Sequence, residues 1–520
     1  MVVGCKDTKN NYLCTLKIIE GMRRDDDDEI NEMDELIEQF TQAADNHFEG
    51  FYMDSEDLFD VISYFIESFN VTYIQQGFEV AFKMFPDDPA FKLLHGKYMA
   101  ITGDFESAES EFHEVELAHP DMAETYVEQV LLSKITHTEV DTMGLLKKAL
   151  HLNYEIPEAH ALLALEYLQR NDIEQALSHI TTATTQENYS LWNLDYLLFS
   201  DLRQYSHDTV LAFLKALTDE FPMNNESWHL LGMAHHKYKE YEEALDAFRF
   251  QQSLTPDDAY VLSDIAECHY LMGNYPQAIK YYEQFAEANI YPVDIMIGRC
   301  HFKMKHYEAA FLYYTSAKIY DPLYLQKFHE IIVTCRAMNK LETAKSLFRY
   351  YLATETEDDV IAFIIPELIC LLDPVHDREE IFRILDMVYN MDYSESDFFK
   401  FIIQLVYVYD TPEAFDLGLD IIREYEPKMI NNTYLMYCSG IFYCEKQWFE
   451  KGTLYLEKAF DAINQEDFEQ LYSMSPKPFE NKVIRELTRR YQFEIPNIPE
   501  DPIFDTGTSS DDDYFFTYLS

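Results

Sequence analysis

Residues 225–258 read NESWHLLGMAHHKYKEYEEALDAFRFQQSLTPDD. Within them Gly232 stands twelve positions before Ala244, and Phe248 stands four after it, one turn further along a helix. The arrangement recurs at a fixed period. Pro222 and Pro256 lie 34 residues apart, as do Ala244 and Ala278, and Ala310 and Ala344, while the step from Ala278 to Ala310 is 32. Aligned on those alanines, Gly232, Ala266, Gly298 and Ile332 fall twelve residues upstream, and Phe248, Tyr282, Tyr314 and Phe348 fall four downstream. A small residue on one helix lets a second approach closely, and the aromatic fills the space between repeats. Each period therefore predicts a helical hairpin, and their succession predicts a stack.

The same frame recovers Gly96, Ala108, Phe112 and Pro120 in one earlier unit, and Ala164, Tyr167, Ala176 and Ala183 in another. Units begin near 55, 89, 123, 157, 191, 225, 259, 291, 325, 359, 396 and 433. Between units stand Pro86-Asp87-Asp88, Pro120-Asp121 and Pro256-Asp257-Asp258. There proline ends the outgoing helix and aspartate is placed to accept hydrogen bonds from free amides of the next. The units at 191 and 359 keep the pattern poorly, and Pro366 falls inside the first helix expected of the latter.

With Trp228, Leu231, Gly232, Ala244, Phe248 and Pro256 in their places, the chain resembles the tetratricopeptide repeat (TPR) family. His235 takes the place of the family's Tyr and Gln251 that of its second Ala. The resemblance covers most of residues 55–466. It implies an all-α fold, a right-handed α-α superhelix (a TPR solenoid) of about twelve helical hairpins. Residues 1–32 are expected to be a disordered extension, and 33–54 a capping helix with Leu36, Phe40 and Ala44 on one face. The TPR array follows over 55–358, then degenerate TPR-like hairpins over 359–466. Residues 467–520 read as an irregular segment with an acidic tail, although 479–493 has the makings of a short helix carrying Lys482, Arg485, Arg489 and Arg490.

Composition bounds the function. The 520 residues include 40 Lys+Arg against 94 Asp+Glu, a net charge of −54, yet 48% are hydrophobic and 15% aromatic, too many for a mostly disordered chain. That charge repels phosphate backbones, so no nucleic-acid partner is expected. Only 14 Gly leave little material for phosphate-binding loops, and no GxSxG, HExxH, Walker-type or GxGxxG motif is present, so no catalytic residue and no cofactor is assigned. An enzyme with an unrecognised site is the less favoured class. Cys268-His269 and Cys300-His301 suggest a metal, but His235, His269 and His301 all fall where the pattern carries Tyr, so they read as aromatic-like fillers and no metal site is assigned. The 8 Cys lack the dense spacing of a disulfide scaffold. The most apolar internal stretch, 360–372, contains Pro366 and Glu367, so no membrane span is expected. With no export signal recognised, the expected location is cytoplasmic.

The resemblance further implies that first helices line a concave face, where positions two, five, nine, twelve and thirteen of each unit meet ligands. In the units at 157 and 191 these include Leu165, Leu168, Trp192, Phe199 and Leu202, an apolar stretch. In the next four units they include His229, His236, Lys237, Tyr270, Arg299, Phe302, Lys303, His329 and Arg336, opposed by Glu226 and Glu267. Cations among aromatics suit a peptide, and an acidic segment in particular. The expected function is thus a non-catalytic scaffold or adaptor holding a protein or peptide partner. An ordinary solvated face, and a structural spacer in a larger complex, stay open as alternatives. The Lys and Asn of a carboxylate clamp, at positions five and nine of one unit, are absent from the clearest repeat, which has His229 and Met233 there. The tail, Asp511 to Asp513 followed by Tyr514, Phe515 and Phe516, is either a docking element for a basic aromatic groove or a solubilising end.

Overall fold

The computed structural model describes residues 27–493 apart from 186–188, 200–201, 257, 288–292, 319–323, 355–357, 370, 391–397, 400–401, 404, 408–410, 429–431 and 476. Among the described residues every regular element is helical, from Asp27–Asp45 to Lys482–Arg490. First helices begin at Ser55, Pro89, Ala123, Pro157, Trp192, Asn225, Tyr260, Asp294, Lys327, Asp358 and Thr433, each within three residues of the periodic frame. The chain divides into two compact units between residues 288 and 289, and each is a stack of helical hairpins.

Helix ends follow from side chains that satisfy free amides. Asp54, Asp88, Asp104, Asp141 and Asp172 each accept from a backbone N–H in the first turn of the helix that follows. Asn224 does the same for Ser227, and Asp258 accepts from the Tyr260 amide at 3.0 Å. Part of the acid excess is thereby consumed at helix starts. Pro120-Asp121 departs from expectation: Met122 occupies the N-cap without a side-chain bond. The Tyr126 hydroxyl donates to the Pro120 carbonyl instead, at 2.8 Å.

The small-to-aromatic spacing proves to be a physical contact. A Cβ added to Gly96 would stand 2.6 Å from Phe112, one on Gly232 2.5 Å from Phe248, and one on Gly298 2.5 Å from Tyr314. All three rings are wholly buried. Glycine is needed there for its lack of a side chain, because the two helices of a hairpin close to the distance that the ring's edge allows.

Two expectations are corrected. The helix Asp358–Ile369 runs through Pro366, which lies near its C-terminal end and removes a single ladder bond there. Past residue 466 the helix Lys482–Arg490 falls inside the expected 479–493, whereas Gln465–Met474 stands where irregular chain was expected. Phe468 packs against Phe493 at 4.7 Å and Phe460 at 6.0 Å, so these helices close the exposed end of the last hairpin. At the other end, Phe40 of Asp27–Asp45 is wholly buried against Phe48, Phe51, Phe65 and Tyr73. The acidic tail from residue 494 and the extension up to residue 26 lie outside the described residues. Among the described residues no helix is long and apolar enough to cross a membrane.

Candidate protein-binding face

The apolar half of the expected site is largely core. Leu165 and Leu168 are 2% and 1% exposed, in one cluster with Leu194, Leu198, Val210 and Leu214. The helix Pro157–Gln169 is apolar on nearly all sides, so its neighbours cover the face that position numbering alone assigned to a ligand. Phe199 and Leu202 are half-buried against the same cluster. Trp192 is half-buried too, and its ring sits 4.3 Å from that of His229.

Three first helices bring the polar residues of the first unit together: Trp192–Phe199, Asn225–Lys237 and Tyr260–Leu271. Glu226 anchors the approach to the first of them, its carboxylate accepting from the Leu191 amide at 2.6 Å. The His229 side chain is 12% exposed, with Nδ1 3.8 Å from Asp264 Oδ2. Burial pushes His229 and His236 down to about 4, so both imidazoles are neutral at physiological pH and neither is a cation. Burial also lowers Lys237, against the opposing pull of Asp195 and Glu267. Asp195 is pushed up to about 6 by burial, with Lys237 working the other way. Asp264 is pushed up to about 8, by burial first and then by the charges of Asp195 and Asp258. Tyr270 packs on Tyr275 at 5.6 Å.

In the second unit, Arg299 Nε donates to Glu330 Oε1 at 2.7 Å and a second guanidinium nitrogen donates to Gln326 Oε1 at 2.7 Å. His329 is exposed, with Nδ1 3.4 Å from Glu367. Phe302 packs on Tyr307 at 5.4 Å, Lys303 is half-buried and Arg336 is exposed. The charges of the first-helix faces are therefore largely balanced within the chain, where the sequence suggested a cationic surplus. Asp195, Glu330 and Glu367 supply acids that the count of Glu226 and Glu267 left out, while Asp264, pushed up to about 8, is mostly protonated at neutral pH. The recurring acids at position six, Glu128, Asp264 and Glu330, were the available signal.

The three histidines of the repeat pattern lie inside hairpins. His269 stacks on Tyr281 and His301 on Tyr313, at 5.6 and 5.3 Å, while His235 Nδ1 lies 2.6 Å from Glu240 Oε2. Among the described residues no three His, Cys, Asp or Glu side chains are grouped so as to hold a metal ion.

No family model matches the chain. Tetratricopeptide repeat protein 37 of Xenopus laevis is 27% identical over 155 residues, covering 29% of this chain and 10% of that protein. Superkiller complex protein 3 of Homo sapiens is 25% identical over 205 residues, covering 39% and 13%. The matched segment thus spans only about a tenth of these relatives' length. Among solved structures, a tetratricopeptide repeat protein from Parabacteroides merdae gives a TM-score of 0.33 at 14% identity, covering 54% of this chain and 98% of that one. Naa15/Naa10 bound to HypK-THB gives 0.32 at 11% identity, covering 78% and 67%. Hairpins in phase with the sequence period, glycine-to-aromatic contacts repeated in both units, and similarity to proteins named for the tetratricopeptide repeat support the TPR family for this chain.

Proposed function

We propose that the chain is a non-catalytic scaffold that holds a segment of a partner protein across the first-helix faces of its hairpins. The observation that carries this reading is the convergence of side chains from three successive first helices in the first unit. Trp192, His229 and Asp264 are far apart in sequence yet adjoin in a chain through contacts of 4.3 and 3.8 Å. Helices ordered by stacking on their neighbours meet a ligand without first being ordered themselves, so little of the binding free energy goes into the scaffold. The net charge of −54 favours a protein partner over a nucleic acid. An acidic segment on Lys237, Arg299 and Lys303 has less support, since Arg299 is already paired and Lys237 already faces two acids.

A second reading, a structural subunit of a larger complex, takes support from a relative named for a complex, Superkiller complex protein 3. Affinity capture of the full chain at low and moderate salt, followed by crosslink mapping, separates the two. Partner crosslinks on residues of Trp192–Phe199, Asn225–Lys237 and Tyr260–Leu271 are expected. Crosslinks confined to second helices or to the end helices would replace the groove with the spacer.

A further inference from the structure

Two pairs of successive first helices are joined by an ion pair at one spacing, and a third pair keeps the acid of that rung without its cation. Position nine of one unit meets position six of the next, 31 residues on. Lys97 Nζ lies 2.9 Å from Glu128 Oε1, and Arg299 Nε lies 2.7 Å from Glu330 Oε1. The same spacing joins Met233 to Asp264, and a thioether cannot pair with a carboxylate.

Around Asp264 stand three unsatisfied atoms able to accept a hydrogen bond, the His229 one when its ring proton is on Nε2. Asp195 Oδ1, His229 Nδ1 and Gln251 Oε1 are shut off from solvent, and none has a hydrogen bond. Gln251 is the residue that replaces the repeat's second alanine. It is 1% exposed, and its side-chain amide adjoins the His229 ring. On that same ring packs the Trp192 indole, whose π face attracts cations. The gap of 3.8 Å between His229 Nδ1 and Asp264 is too long for a hydrogen bond, so the two do not satisfy each other. The fixed cation near this group, Lys237, stands between Asp195 and Glu267. Unlike the buried acceptors, the Asp264 side chain is 30% exposed and can be reached from outside.

We propose that a lysine ammonium or arginine guanidinium of a bound polypeptide completes this rung, with Asp264 as its ion-pair partner and His229, Gln251 and Trp192 as the surrounding acceptors. The proposal rests on the first-helix face being the protein-binding face, and it makes the recognised segment basic. A net charge of −54 steers such segments toward the chain. The aliphatic stem of the incoming residue would lie over Met233, where other repeats supply the cation themselves.

The test uses the full-length chain and labelled, end-blocked decapeptides that differ only in a central Arg, Lys, Gln or Glu, read by fluorescence anisotropy. The Arg and Lys peptides are expected to bind about tenfold tighter than the Gln peptide, and the Glu peptide weakest. Asp264→Asn and Met233→Lys should each remove that preference, the second by filling the rung from within, while Met233→Leu keeps it. Equal binding of the Gln and Arg peptides, or a preference that survives in both Asp264→Asn and Met233→Lys, would overturn the proposal. Spermidine carries the same ammonium chemistry. Its failure to displace the Arg peptide at equal concentration is expected, and full displacement would reassign the site to a free polyamine. A readout without ligand is the carbon-13 titration of the Asp264 carboxyl, whose midpoint should fall in Met233→Lys. An unmoved midpoint would refute the rung geometry. Should a native partner crosslink to the first helices while its charge-neutralised segment binds equally well, this inference alone falls and the scaffold reading stands.

Discussion

Replacing Phe248 with alanine is expected to destabilise the first unit by about 3–5 kcal/mol, the range for emptying a buried aromatic site. The ring is wholly buried and belongs to a cluster with Ala244, Leu245, Val261, Ile265 and Cys268. Its edge also meets Gly232, which has no side chain to lean into the void. Phe248 therefore serves two contacts at once, between the helices Asn225–Lys237 and Tyr241–Leu254 and between that hairpin and the next. In a stack whose stability is a sum of neighbour terms, the loss stays local, and residues 225–271 should lose hydrogen-exchange protection before residues 89–118 do. Urea unfolding gives the magnitude and exchange mass spectrometry the location. Gly232→Val attacks the same contact from the opposite side, since its new Cβ would sit 2.5 Å from the ring. If the interlock is real, Gly232→Val is less harmful in the Phe248→Ala background than alone. Additive losses would show that the two positions do not share one space.

That interlock was legible in the sequence because it is periodic. Gly96 with Phe112, Gly232 with Phe248 and Gly298 with Tyr314 share one spacing of 16, and helical geometry turns that spacing into a contact wherever two helices run back to back. Many helix starts were legible for a similar reason, being fixed by a proline or a capping side chain in their own sequence neighbourhood. What stayed hidden depends on elements distant in sequence. Leu165 and Leu168 stand at ligand positions, and only the apolar hairpins around them turn those positions into core. The helix Gln465–Met474 is held through Phe468 by Phe479 and Phe493, which carry no periodic signal. The charge of the first-helix face was misjudged because Arg299 and Glu330 meet across two successive repeats, and a tally by position treats each as though it faced water. The cross-repeat rung of 31 residues was present in the sequence but invisible until coordinates showed which positions touch.

Asp264→Asn is expected to leave stability near pH 4 unchanged and to raise it progressively as the pH climbs toward 9. The folded-state carboxyl is pushed up to about 8, against an ordinary value of 3.8. Between those limits the folded chain keeps a proton that the unfolded chain has released, so this residue makes stability fall with rising pH, and the penalty is complete above about 8. Each pKa unit corresponds to about 1.4 kcal/mol, but with the side chain 30% exposed water offsets much of the cost, and a gain of about 2 kcal/mol at pH 9 is expected. Scanning calorimetry across this range checks it, and an equal gain at pH 4 and pH 9 would trace the effect to packing and not to charge. Asp195, raised to about 6, acts in the lower part of the same window, so its asparagine variant should gain stability earlier on the pH axis. Binding is tied to the same proton. A cation entering the rung must displace it wherever Asp264 is still protonated, so affinity for the arginine peptide should rise from pH 6 to 8 and level off beyond. His229 and His236 are already neutral throughout that interval, so the binding curve follows the carboxyls, Asp195 at its lower end and Asp264 at its upper.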